Sequence, residues 1–148
     1  MKQIEKVLAY VTRGEGASLE ILVFDHVGLP EAGVQVPSGS VEVGESLEVA
    51  ARREALEETG LSITSDAEEL GQAKHLREDR SEIHYRHIFR FHLPSASSNE
   101  WIHTVSGDGE DHEMKFRCYW MSITEARKVL AVGQDDYLAM LMIANFVF

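Results

Sequence analysis

One stretch, residues 39–61, constrains the fold more than any other part of this sequence. Residues 47–59 contain no glycine or proline, and alanine and leucine, which are strong helix formers, recur among them. Ser46 is a favourable N-terminal cap, and Gly60 suits the left-handed conformation that commonly ends a helix. The stretch therefore predicts a loop followed by one helix of about three turns over residues 47–59.

Three glutamates would share one face of this helix. Glu54, Glu57 and Glu58 are spaced at i, i+3 and i+4, and like charges at this spacing repel each other unless they are neutralised. Arg53 can pair with Glu57 and reach back towards Glu45, but negative charge remains in excess. A hard divalent cation that prefers oxygen ligands, Mg²⁺ or Mn²⁺, would neutralise the remainder. The alternative is a solvated acidic surface without a site.

The spacing of the whole stretch favours a site over a solvated surface. The pattern consists of Gly39, Glu45, Arg53, Glu54, Glu57, Glu58 and Gly60, with apolar Ala55 and Leu61 between and after them. It resembles the signature of the Nudix hydrolase family, G-x5-E-x7-R-E-U-x-E-E-x-G-U, in which U is apolar. The resemblance implies metal-dependent hydrolysis of a nucleoside diphosphate linked to another moiety, with water attacking phosphorus.

The same resemblance assigns roles to the residues of the pattern. Glu57 and Glu58 would be metal ligands, and Glu54 would be a further ligand or the base that activates water. Arg53, supported by Glu45, would orient this cluster. The backbone carbonyl near Gly39 would add a ligand to the metal, which is expected to be Mg²⁺ or Mn²⁺.

Two loops and Ser38 supply the candidates outside the helix. Ser38 directly precedes Gly39 and is expected to contact the substrate. His26 follows the second predicted strand, where relatives often place a basic residue against phosphate; otherwise it is an ordinary loop histidine. Some relatives take another acidic residue from a downstream loop. Glu113 is the favoured candidate because it adjoins a strand, with Glu110 and Asp111 as the others, and a solvated loop is the alternative.

The apolar patterns along the chain predict alternating strands and helices. Strands are expected at residues 4–12, 19–24, 34–37, 69–77, 83–93 and 114–121, and helices at 47–59, 123–131 and 135–146, with an irregular stretch at 94–111. Such an order gives a mixed sheet covered on both faces. The predicted fold is therefore α/β, a Nudix-type α/β/α sandwich with a mixed β-sheet, in one domain spanning residues 1–148.

Composition limits the partners and the compartment. The net charge is −11, and no cluster of Lys and Arg is present in the sequence to bind a long nucleic acid. Cys118 is the only cysteine and is expected to be a buried strand residue in a reducing, cytoplasmic protein. No stretch predicts a membrane span or a signal peptide. The expected partner is a small nucleotide, and small enzymes of this family often form homodimers.

Substrate identity is the least constrained expectation. Residues 62–82 lack the proline of the ADP-ribose subgroup, the first tyrosine after the pattern is Tyr85, and no coenzyme A motif precedes the pattern. These absences favour nucleoside triphosphates or a broad diphosphate specificity. The alternative function is a non-catalytic nucleotide-binding regulator on a Nudix scaffold, which would be expected to lose one of the carboxylates.

Overall fold

The computed structural model describes residues 1–94, 98–106 and 113–147, with side chains described as far as residue 142. Its strands are β1 (Lys2–Arg13), β2 (Glu20–His26), β3 (Ser38–Ser40), β4 (Ala67–Arg77), β5 (Glu82–His92), β6 (Glu100–Thr104) and β7 (Lys115–Ser122). Its helices are α1 (Leu47–Thr59), α2 (Ile123–Val129) and α3 (Leu138–Val147). The predicted helix at residues 47–59 is confirmed at both ends.

The strands form one mixed sheet in the order β4-β5-β1-β2-β7-β6. The β1 and β5 strands are parallel, and the other neighbours are antiparallel. Strand β1 pairs with β2 only near its end and with β3 nearer its beginning, so β3 fits beside β1 where β2 has diverged. This divergence places the loop before α1 at the edge of an opening in the sheet.

Two apolar cores lie on opposite faces of the sheet. Odd-numbered residues of β1 pack with Ala50, Ala51 and Ala55 of α1, and even-numbered residues pack with Leu138 and other side chains of α2 and α3. The predicted sandwich with a mixed sheet is therefore confirmed. Cys118 is fully buried, and burial raises the pKa of its thiol to about 12, so it is a core residue as predicted.

The strand predicted at residues 34–37 is wrong. Val34 and Gln35 make only isolated bridges, and the strand begins at Ser38. Pro37 has no N–H to donate to a ladder, although its carbonyl accepts a hydrogen bond from Ala9. The chain therefore pairs regularly only after the proline, which brings Gly39 opposite Val7 of β1.

The irregular stretch predicted at residues 94–111 contains the edge strand β6. This strand also completes the end of α1, since Trp101 donates to the carbonyl of Thr59 (2.7 Å) and His103 donates to that of Glu57 (2.9 Å). The last carbonyls of a helix have no partner within the helix, so these contacts satisfy groups that the helix leaves open. They also fix the acidic end of α1 against the sheet.

The final helix begins at Leu138, later than the predicted residue 135. The turn before it is held by side-chain contacts: Tyr10 donates to the carbonyl of Gln134 (2.6 Å), and Gln134 Oε1 accepts from the backbone of Val36 (2.8 Å). Tyr137 likewise donates to the carbonyl of Gln72 (2.7 Å). Within the described ranges, no helix is long and apolar enough to cross a membrane.

Candidate active site

Helix α1 presents its acidic face to a cavity because its opposite face is packed on the sheet. Ser46 caps the start by accepting from Val49 N (3.2 Å), and Gly60 ends the helix with φ 81°. The three buried alanines allow the helix to lie close to the strands. The cavity has a volume of about 470 Å³ and is lined by Lys6, Leu8, Ser38, Gly39, Ser40, Glu42, Arg53, Glu54, Glu57, Glu58, Arg77, Arg80, His84, Arg86, Val105, Ser106 and Gln134.

Arg53 is the centre of the acidic cluster. Its guanidinium binds Glu45 through Nε (2.7 Å) and Nη2 (3.0 Å), and its Nη1 donates to both Glu54 (2.8 Å) and Glu57 (3.2 Å). The hydrogen bonds with Glu45 lower the pKa of that carboxyl and raise the pKa of Arg53. Arg53 also donates to the carbonyl of Ser40 (2.9 Å), so it ties α1 to the end of β3.

The side chains of Glu54 and Glu58 are largely buried. Burial raises the pKa of Glu54 to about 7, against the opposing effect of the Arg53 guanidinium. Glu58 is 6% exposed and accepts a hydrogen bond from the backbone N–H of Ser38 (2.8 Å). Glu54 and Glu58 therefore hold their carboxyl groups, largely shielded from solvent, at the junction of α1 and β3.

Gly39 allows the backbone of β3 to approach Glu54 closely. A Cβ built at this position would overlap the carboxylate of Glu54. The glycine is therefore required by the space that the carboxylate occupies.

We expect Gly39→Ala to reduce activity at least about tenfold, since small displacements of reacting groups are costly, while changing the free energy of unfolding by less than about 1 kcal/mol. The small stability effect follows because the carboxylate lies at the end of a flexible side chain and can move. Steady-state kinetics and urea unfolding would check both. Val43→Ala, at a fully exposed position of the same loop, is the matched control. Full activity of Gly39→Ala would contradict the prediction.

The donor set suits a hard divalent ion, because three carboxylates and the backbone of β3 border one cavity. In the described part of the chain, no three His, Cys, Asp or Glu side chains converge on one point. The reason lies in their present partners, since Glu54 and Glu57 both face Arg53 and Glu58 faces Ser38.

The structure brings most of the predicted site residues together. Ser38, Gly39, Arg53 and the three glutamates line the cavity, and Glu45 joins them through Arg53. Glu113 is exposed and does not line the cavity, although its N–H donates to Val105, which does (3.1 Å). Glu110 and Asp111 lie outside the described residues.

His26 is not brought to this cavity. It lies at the end of β2 in a separate depression with Asp25 and Arg117, and its ring is 4.4 Å from that of Phe116. Its buried Nδ1 has no hydrogen-bond partner among the described residues. The separation arises because β2 diverges from β1 beside β3, so the end of β2 points away from the opening.

Several cationic residues that line the cavity were not predicted from the sequence. Lys6, Arg77, Arg80 and Arg86 come from β1, β4, the turn after β4 and β5, and they line the cavity together with His84 and Gln134. Three of the four lie within residues 77–86, but three acidic residues lie among them, so the stretch carries no excess of positive charge that would have marked it. The parallel register of β1 and β5 places Lys6 beside Arg86, and this register was not predicted from the sequence.

Comparisons with known proteins agree with this geometry. The family model of the NUDIX domain matches residues 2–141. The chain is similar in structure to the ORF135 protein of E. coli, with 27% identity, TM-score 0.65, and coverage of 97% of this chain and 91% of that one. It is also similar to a MutT NUDIX hydrolase from Burkholderia pseudomallei, with 19% identity, TM-score 0.68, and coverage of 94% and 98%. A C. elegans Ap4A hydrolase gives 16% identity, TM-score 0.66, and coverage of 98% and 99%. No curated protein sequence gives a significant match.

Proposed function

Because the chain belongs to the NUDIX domain family, we propose that it hydrolyses a phosphoanhydride bond in a nucleoside diphosphate linked to another moiety, using Mg²⁺ or Mn²⁺. The observation that carries this proposal is the placement of Glu54, Glu57 and Glu58 on one wall of a cavity large enough for a nucleotide. Arg53 contacts Glu54 and Glu57 of that wall and is itself held by Glu45. The family match gives the class of reaction, and the site geometry supports these residues for the roles.

Each residue of the acidic cluster would have its own role in the reaction. Glu57 and Glu58 would hold the ion with the carbonyl near Gly39, and Glu54 would either join them or accept a proton from the attacking water. A bound divalent ion would neutralise the phosphate oxygens, which otherwise repel a nucleophile. Arg53 would hold the carboxylates in position, and the backbone at Ser38 and Gly39 would lie against the substrate. Because Glu54 is largely shielded from water, electrostatic contacts made beside it would be stronger than the same contacts in solvent.

The test is a panel of nucleotides incubated with the protein and Mg²⁺ or Mn²⁺, with identification of the products. We expect metal-dependent release of a nucleoside monophosphate or of phosphate from at least one class, and incorporation of ¹⁸O from labelled water into a phosphate product. No turnover on any of nucleoside triphosphates, dinucleoside polyphosphates or nucleotide sugars would contradict the proposal. Tight binding without turnover would instead support a nucleotide-binding regulator.

A further inference from the structure

The last turn of α1 places negative charge where a helix tolerates it least. It carries Glu57 and Glu58 and contains no basic residue. The C-terminal end of a helix is its negative end, so cations rather than carboxylates are favourable there. The last carbonyls of the helix also have no N–H partner further along it. The end of α1 that carries two of the proposed metal ligands therefore needs donors from elsewhere in the fold.

Strand β6 and the segment after it supply these donors. His103 Nε2 donates to the carbonyl of Glu57 (2.9 Å), and the backbone N–H of Ser106 donates to the same carbonyl (3.2 Å). Trp101 Nε1 donates to the carbonyl of Thr59 (2.7 Å). A carbonyl can only accept, so Nε2 of His103 carries its hydrogen in this contact. These N–H groups bring the positive ends of their dipoles to the negative end of the helix.

Gly60 leaves the space that the ring of His103 needs. A Cβ built at Gly60 would lie 2.9 Å from His103 Nδ1, closer than an ordinary van der Waals contact. The same glycine has φ 81°, the left-handed conformation that ends α1. The residue that ends the helix therefore also admits the imidazole. One ring nitrogen of His103 lies at Glu57 and the other beside Gly60.

The end of α1 is tied to two different strands. The Glu58 carboxylate accepts from the backbone N–H of Ser38 (2.8 Å), which joins it to β3 immediately before Gly39. The carbonyls of Glu57 and Thr59 are joined to β6. The position of the carboxylates relative to the carbonyl near Gly39 therefore depends on both attachments. A small shift of the helix end away from β6 would move two of the proposed ligands together.

We propose that Trp101 and His103 are positioning residues, which hold Glu57 and Glu58 in the geometry that binds the metal. They act through the backbone of α1 and touch neither the ion nor the substrate. This inference rests on the proposed function, since it takes Glu57 and Glu58 as the ligands. Residues that orient metal ligands commonly change metal affinity or activity by about 10–100-fold when they are substituted.

Mn²⁺ binding in the absence of any nucleotide tests the proposal. Electron paramagnetic resonance of free Mn²⁺ would give the dissociation constant of each variant. His103→Leu and Trp101→Phe remove the donors and keep apolar side chains, and each should weaken Mn²⁺ binding at least about fivefold. His103→Gln should stay within about twofold of the wild type, because its amide can still donate to the carbonyl. The variants at the two positions are independent, so one misfolded protein leaves the other as the test.

Trp120→Phe is the matched control for a purely structural effect. Trp120 packs in the same apolar core as Trp101, and its Nε1 donates to the carbonyl of Ser98 (3.1 Å) rather than to α1. Trp120→Phe therefore loses the same kind of hydrogen bond. It should lower the midpoint of urea unfolding about as much as Trp101→Phe does, yet keep its Mn²⁺ affinity within about twofold of the wild type.

Two results would overturn the positioning role while leaving the metal site intact. One is wild-type Mn²⁺ affinity in a folded His103→Leu or Trp101→Phe protein. The other is an equal loss of affinity in Trp120→Phe, which would show that stability alone decides binding. Failure of the wild type to bind Mn²⁺ would overturn the proposed metal site itself, and the positioning role with it. The two inferences therefore fail with different results.

Discussion

Glu57→Gln is expected to lower kcat/KM for the best nucleotide substrate by at least about 100-fold, because it removes one negative charge from the proposed metal site. Glutamine has the shape of glutamate, so the packing of α1 should be kept. Glu57 is a suitable position because its side chain is 21% exposed and its carboxylate contacts Arg53 (3.2 Å). The loss of activity should therefore reflect the loss of charge rather than a change of fold.

Steady-state kinetics at several Mn²⁺ concentrations would separate metal binding from the chemical step. If Glu57 holds the ion, the metal concentration for half-maximal activity should rise in Glu57→Gln. Glu48→Gln is the matched control, because Glu48 lies on the same helix but outside the cavity, where it pairs with Arg52 (3.1 Å). It should keep activity within about twofold, as exposed ion pairs contribute little. Full turnover of Glu57→Gln would show that the role assigned to Glu57 is wrong.

Arg53→Gln is expected to have the largest effect on stability among the site substitutions, about 3 kcal/mol in the absence of metal. The guanidinium contacts Glu45, Glu54 and Glu57 and the carbonyl of Ser40, and its side chain is only 20% exposed. Removing it would leave several carboxylates close together without a counter-charge. Glutamine cannot replace the five donors of the planar guanidinium.

Added Mn²⁺ should restore part of the stability of Arg53→Gln, because an ion bound to the carboxylates would replace part of the missing positive charge. Urea unfolding with a chelator and with excess Mn²⁺ would measure this difference. Arg52→Gln is the matched control, since Arg52 pairs with Glu48 and the carbonyl of Ile63 outside the cavity. It should lose less stability and show no greater Mn²⁺ stabilisation than the wild type. An Arg53→Gln protein as stable as the wild type in chelator would contradict the prediction.

The acidic helix could be predicted from the sequence because its determinants are local. The cap at Ser46, the glycine at residue 60 and the spacing of the glutamates all lie within one short stretch. The contacts of Arg53 with Glu57 and Glu45 follow from the same spacing along the helix and its preceding loop. Helical geometry relates nearby residues without reference to the rest of the fold.

Other features depended on pairing between distant segments. Strand β6 is short and lies at an edge, and its pattern is too brief to mark it before its contacts with β7 and α1 are known. His26 was a reasonable candidate from its position after β2, but the divergence of β1 and β2 directs it to another depression. Neither outcome follows from residue types alone.

The sequence by itself determined the carboxylate wall, since one helix carries all three glutamates and the arginine between them. Only the tertiary structure decided what faces that wall. The parallel register of β1 and β5 places Lys6 beside Arg86, and the turn at Gly133 holds Arg86 in position. The physical reason is that strand register is set by packing across the whole sheet, which no local pattern encodes.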